Sequence, residues 1–448
     1  MPGPETEVSS AIQESNNAVD KTERRQRSGT ASWASQPSER HASPADVDAA
    51  EAYHARGFVL RQEGNFAAAA EAYTRAIELN PRHFKAFFNR GFAFDKLRRF
   101  EEAIADYTSA LAMDPTNAFA FYNRGISLDR SGDYEGALAD FTRAIELLPT
   151  NADFYHNRGF CHRKQGNFEL AIQDYSAAIQ FNATHFKSLY NRAYSFDKLG
   201  RLDDAIADYT AAIRVEPNNA NAFHNRGSTY DKMKRVDLAL ADFDRAIALQ
   251  PHAASSYNSR GLCLDQLGRR DEALADFSRA IALEPDNAVF YHNRGYCYRN
   301  LGDFERAIDD YTAALQLEPR NVAAYNNRGY ALRKLRRFED AVQDYSTALT
   351  IDPKNTRTLS NRAYSFAKMD RVLDAIRDYS EVVALDPQNT YSFHNRAILL
   401  DKIGDHAAAQ RDFALAVALE RRLSDRGARG RGGATGGAGD AGGPNSKR

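Results

Sequence analysis

The sequence predicts an all-α chain, an α-solenoid of eleven helix-turn-helix repeats of 34 residues. Three observations predict it. A small residue recurs every 34 positions with no insertion or deletion, as Gly57, Gly91, Gly125, Gly159, Ala193, Gly227, Gly261, Gly295, Gly329, Ala363 and Ala397. Between these marks the apolar residues fall on two stripes of helical period. Proline closes nine of the eleven intervals, where it cannot continue a helix and pushes the preceding residue out of α geometry.

Numbering each copy so that Ala50 is position 1 puts the small residue at position 8. The first helix carries apolar residues at 4, 8 and 11. Gly or a charged residue near position 15 separates it from the second, whose apolar positions are 20, 21, 24, 27 and 28. Position 20 is alanine in every copy, from Ala69 to Ala409, and position 24 is always Tyr or Phe, from Tyr73 to Phe413. Position 27 is alanine except for Val382, and position 32 is proline except for Ala183 and Arg421. Two short helices cannot bury such stripes alone. Each covered side chain contributes about 1.5–3 kcal/mol, so stacking of neighbouring copies is required and the copies form one elongated domain.

These columns resemble the tetratricopeptide repeat (TPR) family, over residues 50 to about 423, or about 83 % of the chain. The resemblance implies a right-handed TPR α-solenoid whose first helices line a concave groove through positions 2, 5, 6, 9, 12 and 13. One departure is systematic. Where the family usually has Leu at position 7, this chain has Arg in all eleven copies, from Arg56 and Arg90 to Arg396. Position 23 is Asp from Asp106 to Asp412, with Ala72 in the first copy. With the family packing, the two columns are expected to meet between the helices of a copy as partly buried Arg–Asp pairs. Such pairs set register more than they add stability.

The ends are different material. Residues 1–43 are polar and lack an apolar period, so disorder is expected. Ser43, Pro44 and Asp46 read as an N-cap, first-turn proline and first-turn acid, opening a repeat domain at 44–423. Residues 424–448 form a Gly/Arg-rich tail, also expected to be disordered. Ser28 and Ser424 follow arginine clusters and are candidate phosphorylation sites. No capping helix is expected after copy 11, so self-association through the C-terminal repeat is a candidate contact.

Position 6 carries the main candidate site: Asn89, Asn123, Asn157, Asn191, Asn225, Asn293, Asn327, Asn361 and Asn395, with Ala55 and Ser259 interrupting. A carboxamide both donates and accepts, so it can hold a peptide group without reading its side chain. Copies about 10 Å apart match about three residues of an extended chain. The row is similar to the asparagine ladder in the repeat arm of O-linked N-acetylglucosamine transferase, here without any catalytic domain. Position 9 adds aromatics, including Tyr194, Tyr296, Tyr330 and Tyr364, which suit either a bound peptide or the next copy. Position 13 is basic in eight copies, and five of these residues directly follow an acid, so the groove reads as locally paired in charge. The co-chaperone clamp for a C-terminal carboxylate is not matched, since position 5 is never Lys and position 9 never Asn.

Other features exclude more than they include. Lys plus Arg is 59 and Asp plus Glu is 60, a net charge of -1, which argues against nucleic-acid coating. No apolar run reaches membrane-spanning length, so no membrane partner is expected and the localisation reads as cytoplasmic, a cilium or other cytoskeletal compartment included. His54, His156, His224, His292 and His394 share position 5, never in adjacent copies, so no pair is expected to share a metal and all read as surface or groove residues. Cys161, Cys263 and Cys297 share position 10 as small packing residues. With no phosphate loop or nucleophile elbow, no cofactor and no enzymatic activity are expected. The expected function is a scaffold or adaptor holding an extended polypeptide along the groove. A structural part of a large assembly, such as a ciliary or transport complex contacted through outer faces, is the alternative. RNA binding through the groove and Arg-Gly tail is an alternative of another class, distinguishable by its steep salt dependence.

Overall fold

The computed structural model describes residues 43–432, with side chains through Arg422. Twenty-two helices follow one another and no strand occurs among the described residues. The repeat pattern predicts one domain, whereas packing divides the chain into two compact units, at 1–165 and 166–448. The division falls between the two helices of copy 4. The first unit contains copies 1–3 and the helix Ala152–Lys164; the second opens with Phe168–Phe181 and continues through copy 11.

Local chemistry sets each helix start. Ser43 caps Pro44–Gln62 through a reciprocal pair with Asp46, as its sequence implies. Position 34 caps the next first helix except where it is Ala253: Asn117 accepts from the Ala120 N–H, and His83 accepts through Nδ1 from the Ala86 N–H. Five second helices instead have Arg before an acid three residues on, as in Arg201–Asp204 and Arg337–Asp340. These arginines cap nothing, but the acids sit favourably at helix N-termini.

Position 15 is left-handed in all eleven copies. Seven are glycines, and four are Arg98, Lys234, Arg336 and Asp370, with φ near 60°. Left-handed backbone strains an L-residue. At position 8 the small residue answers a different demand: a Cβ on Gly57 would lie 2.6 Å from the Tyr73 ring. The position-24 aromatics are fully buried from Tyr73 to Tyr379, sealed by neighbouring alanines at positions 20 and 27.

Two stops differ from expectation. Copy 4 lacks the position-32 proline, yet its second helix still ends at Phe181. Copy 11 lacks it too, and there the helix His406–Gly432 runs through Arg421. Proline is therefore sufficient but not necessary for the stop. The first residues of the tail expected to be disordered from 424 are helical to Gly432. On this last helix Phe413 is only half-buried, and Leu415 and Val417 are 48 % and 47 % exposed. Residues 1–42 with Ser28, residues 433–448, and the Ser424 side chain lie outside what is described.

Relieving the left-handed strain should stabilise the chain. Arg98→Gly, Lys234→Gly and Arg336→Gly should each contribute about 1 kcal/mol, read as a higher urea midpoint. A lower midpoint for all three would contradict the assignment of position 15.

Candidate functional site

The arginine column is the frame on which the candidate site is built. Nine Arg–Asp pairs between positions 7 and 23 span the two helices of a copy within one unit. The geometry is a planar fork: Arg226 Nε donates to Asp242 Oδ2 at 2.8 Å and Nη2 to Oδ1 at 2.7 Å. The sequence reading missed a third arm. Arg226 Nη1 donates to Thr210 Oγ1 at 2.9 Å, a position-25 hydroxyl of the preceding copy. Arg90 reaches Thr74, Arg294 reaches Ser278, and Arg260 reaches Asp244 in the same manner. A column of Thr, Ser or Asp at position 25, from Thr74 to Ser380, was the available signal. Burial raises the Asp106 and Asp310 carboxyls above their ordinary range, against the pull of Arg90 and Arg294.

With position 7 saturated, the asparagines one residue earlier are half-buried on the first helices. Their amide nitrogens are partly consumed inside the repeat array. Asn123, Asn191 and Asn395 donate to the carbonyl four residues back, at 2.8, 2.9 and 2.7 Å. Asn225 donates to the Tyr190 hydroxyl at 2.5 Å and Asn293 to Asn258 Oδ1 at 2.9 Å, both at position 5 of the preceding copy. Asn157 does both, to Tyr122 and to the Asp153 carbonyl. Asn225 and Asn293 also interact with Tyr209 and His292; for Asn123, Asn191 and Asn395, no other side-chain hydrogen bond occurs among the described residues.

Asn89 and Asn327 depart from this pattern. Arg61 Nη1 donates to Asn89 Oδ1 at 3.1 Å and Arg299 Nη1 to Asn327 Oδ1 at 2.8 Å. Their nitrogens face His54 Nε2 and His292 Nε2 at 3.0 Å. Both ends of these two amides are engaged, because position 12 is Arg there and position 5 is His. These two candidate amides are therefore already held at both ends inside the array. No hydrogen bond of the Asn361 carboxamide occurs among the described residues.

Charge pairing on this face also follows a different rule from the expected one. An acid at position 12 pairs with position 13 of the next copy: Asp95 with Arg130, Asp129 with Lys164, Asp197 with Lys232. Sequence neighbours diverge around a helix and do not face each other. The tyrosines at position 9 are covered by cations. Arg299 lies 4.1 Å from the Tyr296 ring and 5.4 Å from Tyr330; Arg333 lies 5.1 Å from Tyr330 and 4.5 Å from Tyr364. Tyr194 faces Lys198 Nζ at 5.2 Å.

The histidine reading needs correction. His156 is buried and His54 half-buried, so position 5 is not simply surface. His54 also meets His83, from a different column, at 5.0 Å between ring centroids, and Glu51 completes a cluster of metal-ligating types within 4.8 Å. Column arithmetic on position 5 alone could not find it. Hydrogen bonding opposes a metal there. Arg61 can only donate, so it fixes the Asn89 oxygen and turns the amide nitrogen to His54 Nε2, leaving the proton on Nδ1. His83 accepts through Nδ1, leaving its proton on Nε2. Those N–H groups face Glu51, at 3.8 and 3.6 Å. Burial lowers the pKa of both rings, and their proximity lowers His54 further. Cys161, Cys263 and Cys297 are buried as expected, each thiol pushed up to about 12 chiefly by burial.

Family models for the tetratricopeptide repeat match residues 54–118 and 292–356, and again 118–151, 152–185, 220–253 and 254–287, with a TPR repeat model on 195–234. The chain belongs to the tetratricopeptide repeat family. It is a protein-interaction scaffold, in a family of typically non-catalytic scaffolds that bind proteins or peptides. No curated protein matches it in sequence. Among solved structures it is similar to YrrB, described as a TPR protein with an unusual peptide-binding site, at 28 % identity over 42 % of this chain and 96 % of that one, TM-score 0.37. A tetratricopeptide repeat protein from Parabacteroides merdae is 21 % identical over 56 % and 98 % of the two chains, TM-score 0.45. Yeast Tom70 is 16 % identical over 83 % and 92 %, TM-score 0.40. No described helix of this TPR chain is long and apolar enough to cross a membrane.

Two outcomes follow from the geometry. Removing one partner of a buried ion pair strands the other, so Asp242→Asn or Arg226→Met should each cost about 3 kcal/mol. The double variant Arg226→Met, Asp242→Leu should cost less than either, measured by hydrogen exchange in copy 6; additive losses would show that the pair is not coupled. For His54 and His83, lowered pKa values mean that the folded state binds fewer protons than the unfolded state. Their stability is present above about pH 6.5 and is lost as pH falls through the folded values. Hydrogen exchange in copy 1 should therefore accelerate on acidification. His54→Tyr with His83→Asn, using residues found in the same columns of other copies, should abolish most of that acceleration.

Proposed function

We propose that the first-helix face of this scaffold holds an extended segment of a partner polypeptide through its position-6 amides. The observation that carries this reading is the remaining capacity of Asn191 and Asn395 in the second unit. Asn225 and Asn293 reach the preceding copy and also interact with Tyr209 and His292, whereas Asn191 and Asn395 each spend one N–H on their own helix and keep, among the described residues, another N–H and the carbonyl oxygen. Those two groups match the carbonyl and N–H of a peptide unit.

Apolar surface accompanies them. Leu262 and Ile398 at position 9, with Val289 and Tyr391 at position 2, are 38–51 % exposed. An extended peptide alternates polar main chain with side chains that such surface can cover. Clefts involving the second helices support the outer-face alternative less well. One of about 350 Å³ is lined by Arg328 and Asp344, already paired with each other.

The test uses peptides selected from a display library against the intact chain. Each amide hydrogen bond contributes about 0.5–1.5 kcal/mol net. Changing Asn191, Asn225, Asn293 and Asn395 together to Ala should therefore weaken retained peptides by about 30-fold or more. Asn89→Ala with Asn327→Ala, which removes already engaged amides, should change affinity by less than about threefold on the same scale. Equal affinities across all three chains would overturn the reading.

A further inference from the structure

Copies 8, 9 and 10 differ from the rest of the array in charge. Their first helices, Ala288–Leu301, Val322–Lys334 and Thr356–Lys368, contain no Asp or Glu, whereas each of the other eight first helices contains at least one. The position-7 arginines here are neutralised by Asp310, Asp344 and Asp378. Arg299, Arg333, Lys334, Arg357 and Lys368 have no carboxylate partner among the described residues. In copies 2, 3 and 5 an acid at position 12 holds the position-13 cation of the following copy. Here position 12 is Arg299, Arg333 and Ala367, so that neutralising contact is missing.

Four of these five cations lie over aromatic rings. Arg299 lies between the Tyr296 and Tyr330 rings, and Arg333 between Tyr330 and Tyr364. Lys334 and Lys368 lie 5.6 and 5.3 Å from Tyr330 and Tyr364. A guanidinium held over an aromatic ring can still donate through its in-plane N–H groups. Arg299 spends part of its edge on Asn327, while the Arg333 guanidinium makes no hydrogen bond among the described residues. A half-buried, pre-positioned guanidinium with an open fork is suited to a carboxylate, because little side-chain entropy remains to be lost.

We propose that the first-helix face of copies 8–10 is a docking surface for an acidic, extended segment of a partner polypeptide, with an Asp or Glu carboxylate seated on Arg333. This names the partner's chemistry for the peptide-holding face and rests on that reading. Copies spaced about 10 Å apart set neighbouring carboxylates about three residues apart. Single-stranded nucleic acid fits less well. It would need open aromatic faces for its bases, and these faces are covered by arginine.

The full chain is titrated into a fluorescently labelled peptide with Glu at every third residue, and into the same peptide with Gln. The Glu peptide should bind at least about tenfold tighter at low salt, and the preference should shrink as salt screens it. Arg333→Gln should remove most of the preference, and Arg333→Lys, which keeps charge but loses the fork, should be intermediate. Far-ultraviolet circular dichroism checks that both variants retain helix content. Equal binding of the two peptides, weakened only by the position-6 Ala variant, overturns the acidic docking surface and leaves the wider peptide reading standing. A Glu preference untouched by Arg333→Gln overturns its placement. Tighter binding of labelled oligouridine than of the Glu peptide, lost in Arg333→Gln, overturns it in favour of nucleic acid.

Discussion

The three-armed arginine at position 7 is the contact on which the other features depend. It ties the two helices of a copy together through Asp at position 23 and reaches the preceding copy through position 25. Register within a copy and register between copies are thus set by one side chain. A guanidinium at 16–25 % exposure with its N–H groups directed at protein acceptors is largely satisfied. Apolar packing around the position-24 ring supplies most of the burial, but apolar contact is non-directional. The planar fork is directional, and so it selects one stacking geometry among those the alanines would tolerate.

Fixing position 7 has a consequence one residue earlier. Position 6 is carried to the same place in every copy, yet its amide does not have the same partners. The neighbours at positions 5 and 12 decide whether it is held by its own helix, by the preceding copy, or by an arginine as well. Asn191 and Asn327 share a column and differ in what they can offer a ligand. Uniform sequence columns therefore produce a graded surface, and the grading lies in the less regular columns beside them. The same holds for charge, since replacing Asp at position 12 by Arg299 or Arg333 converts paired surface into unpaired cation.

Much of the fold was legible because a 34-residue period samples the same packing problem eleven times. Helix limits, the small residue at position 8, the buried aromatic at 24 and the Arg–Asp pairing could all be read from columns. Less of the site was legible. The third arm of arginine joins residues 16 apart in adjacent copies, and the Asn row bonds to residues 35 earlier. Both cross between columns, where periodicity alone says nothing about contact. Position 5 did hold a clue, being His, Tyr, Asn or Ser everywhere except Phe88. Each of those side chains has an acceptor, and Asn123, after Phe88, bonds only to its own helix.

The sequence by itself determined the element order and the family, because periodic burial and turn chemistry are local properties repeated many times. Only the tertiary structure decided which amides are engaged, which cations lack acids, and that His54 comes to rest against His83. Those outcomes depend on the rotation and spacing of helices from neighbouring copies. Hydrogen bonds and ion pairs fall off within an ångström or two and with angle, so no column count could supply them.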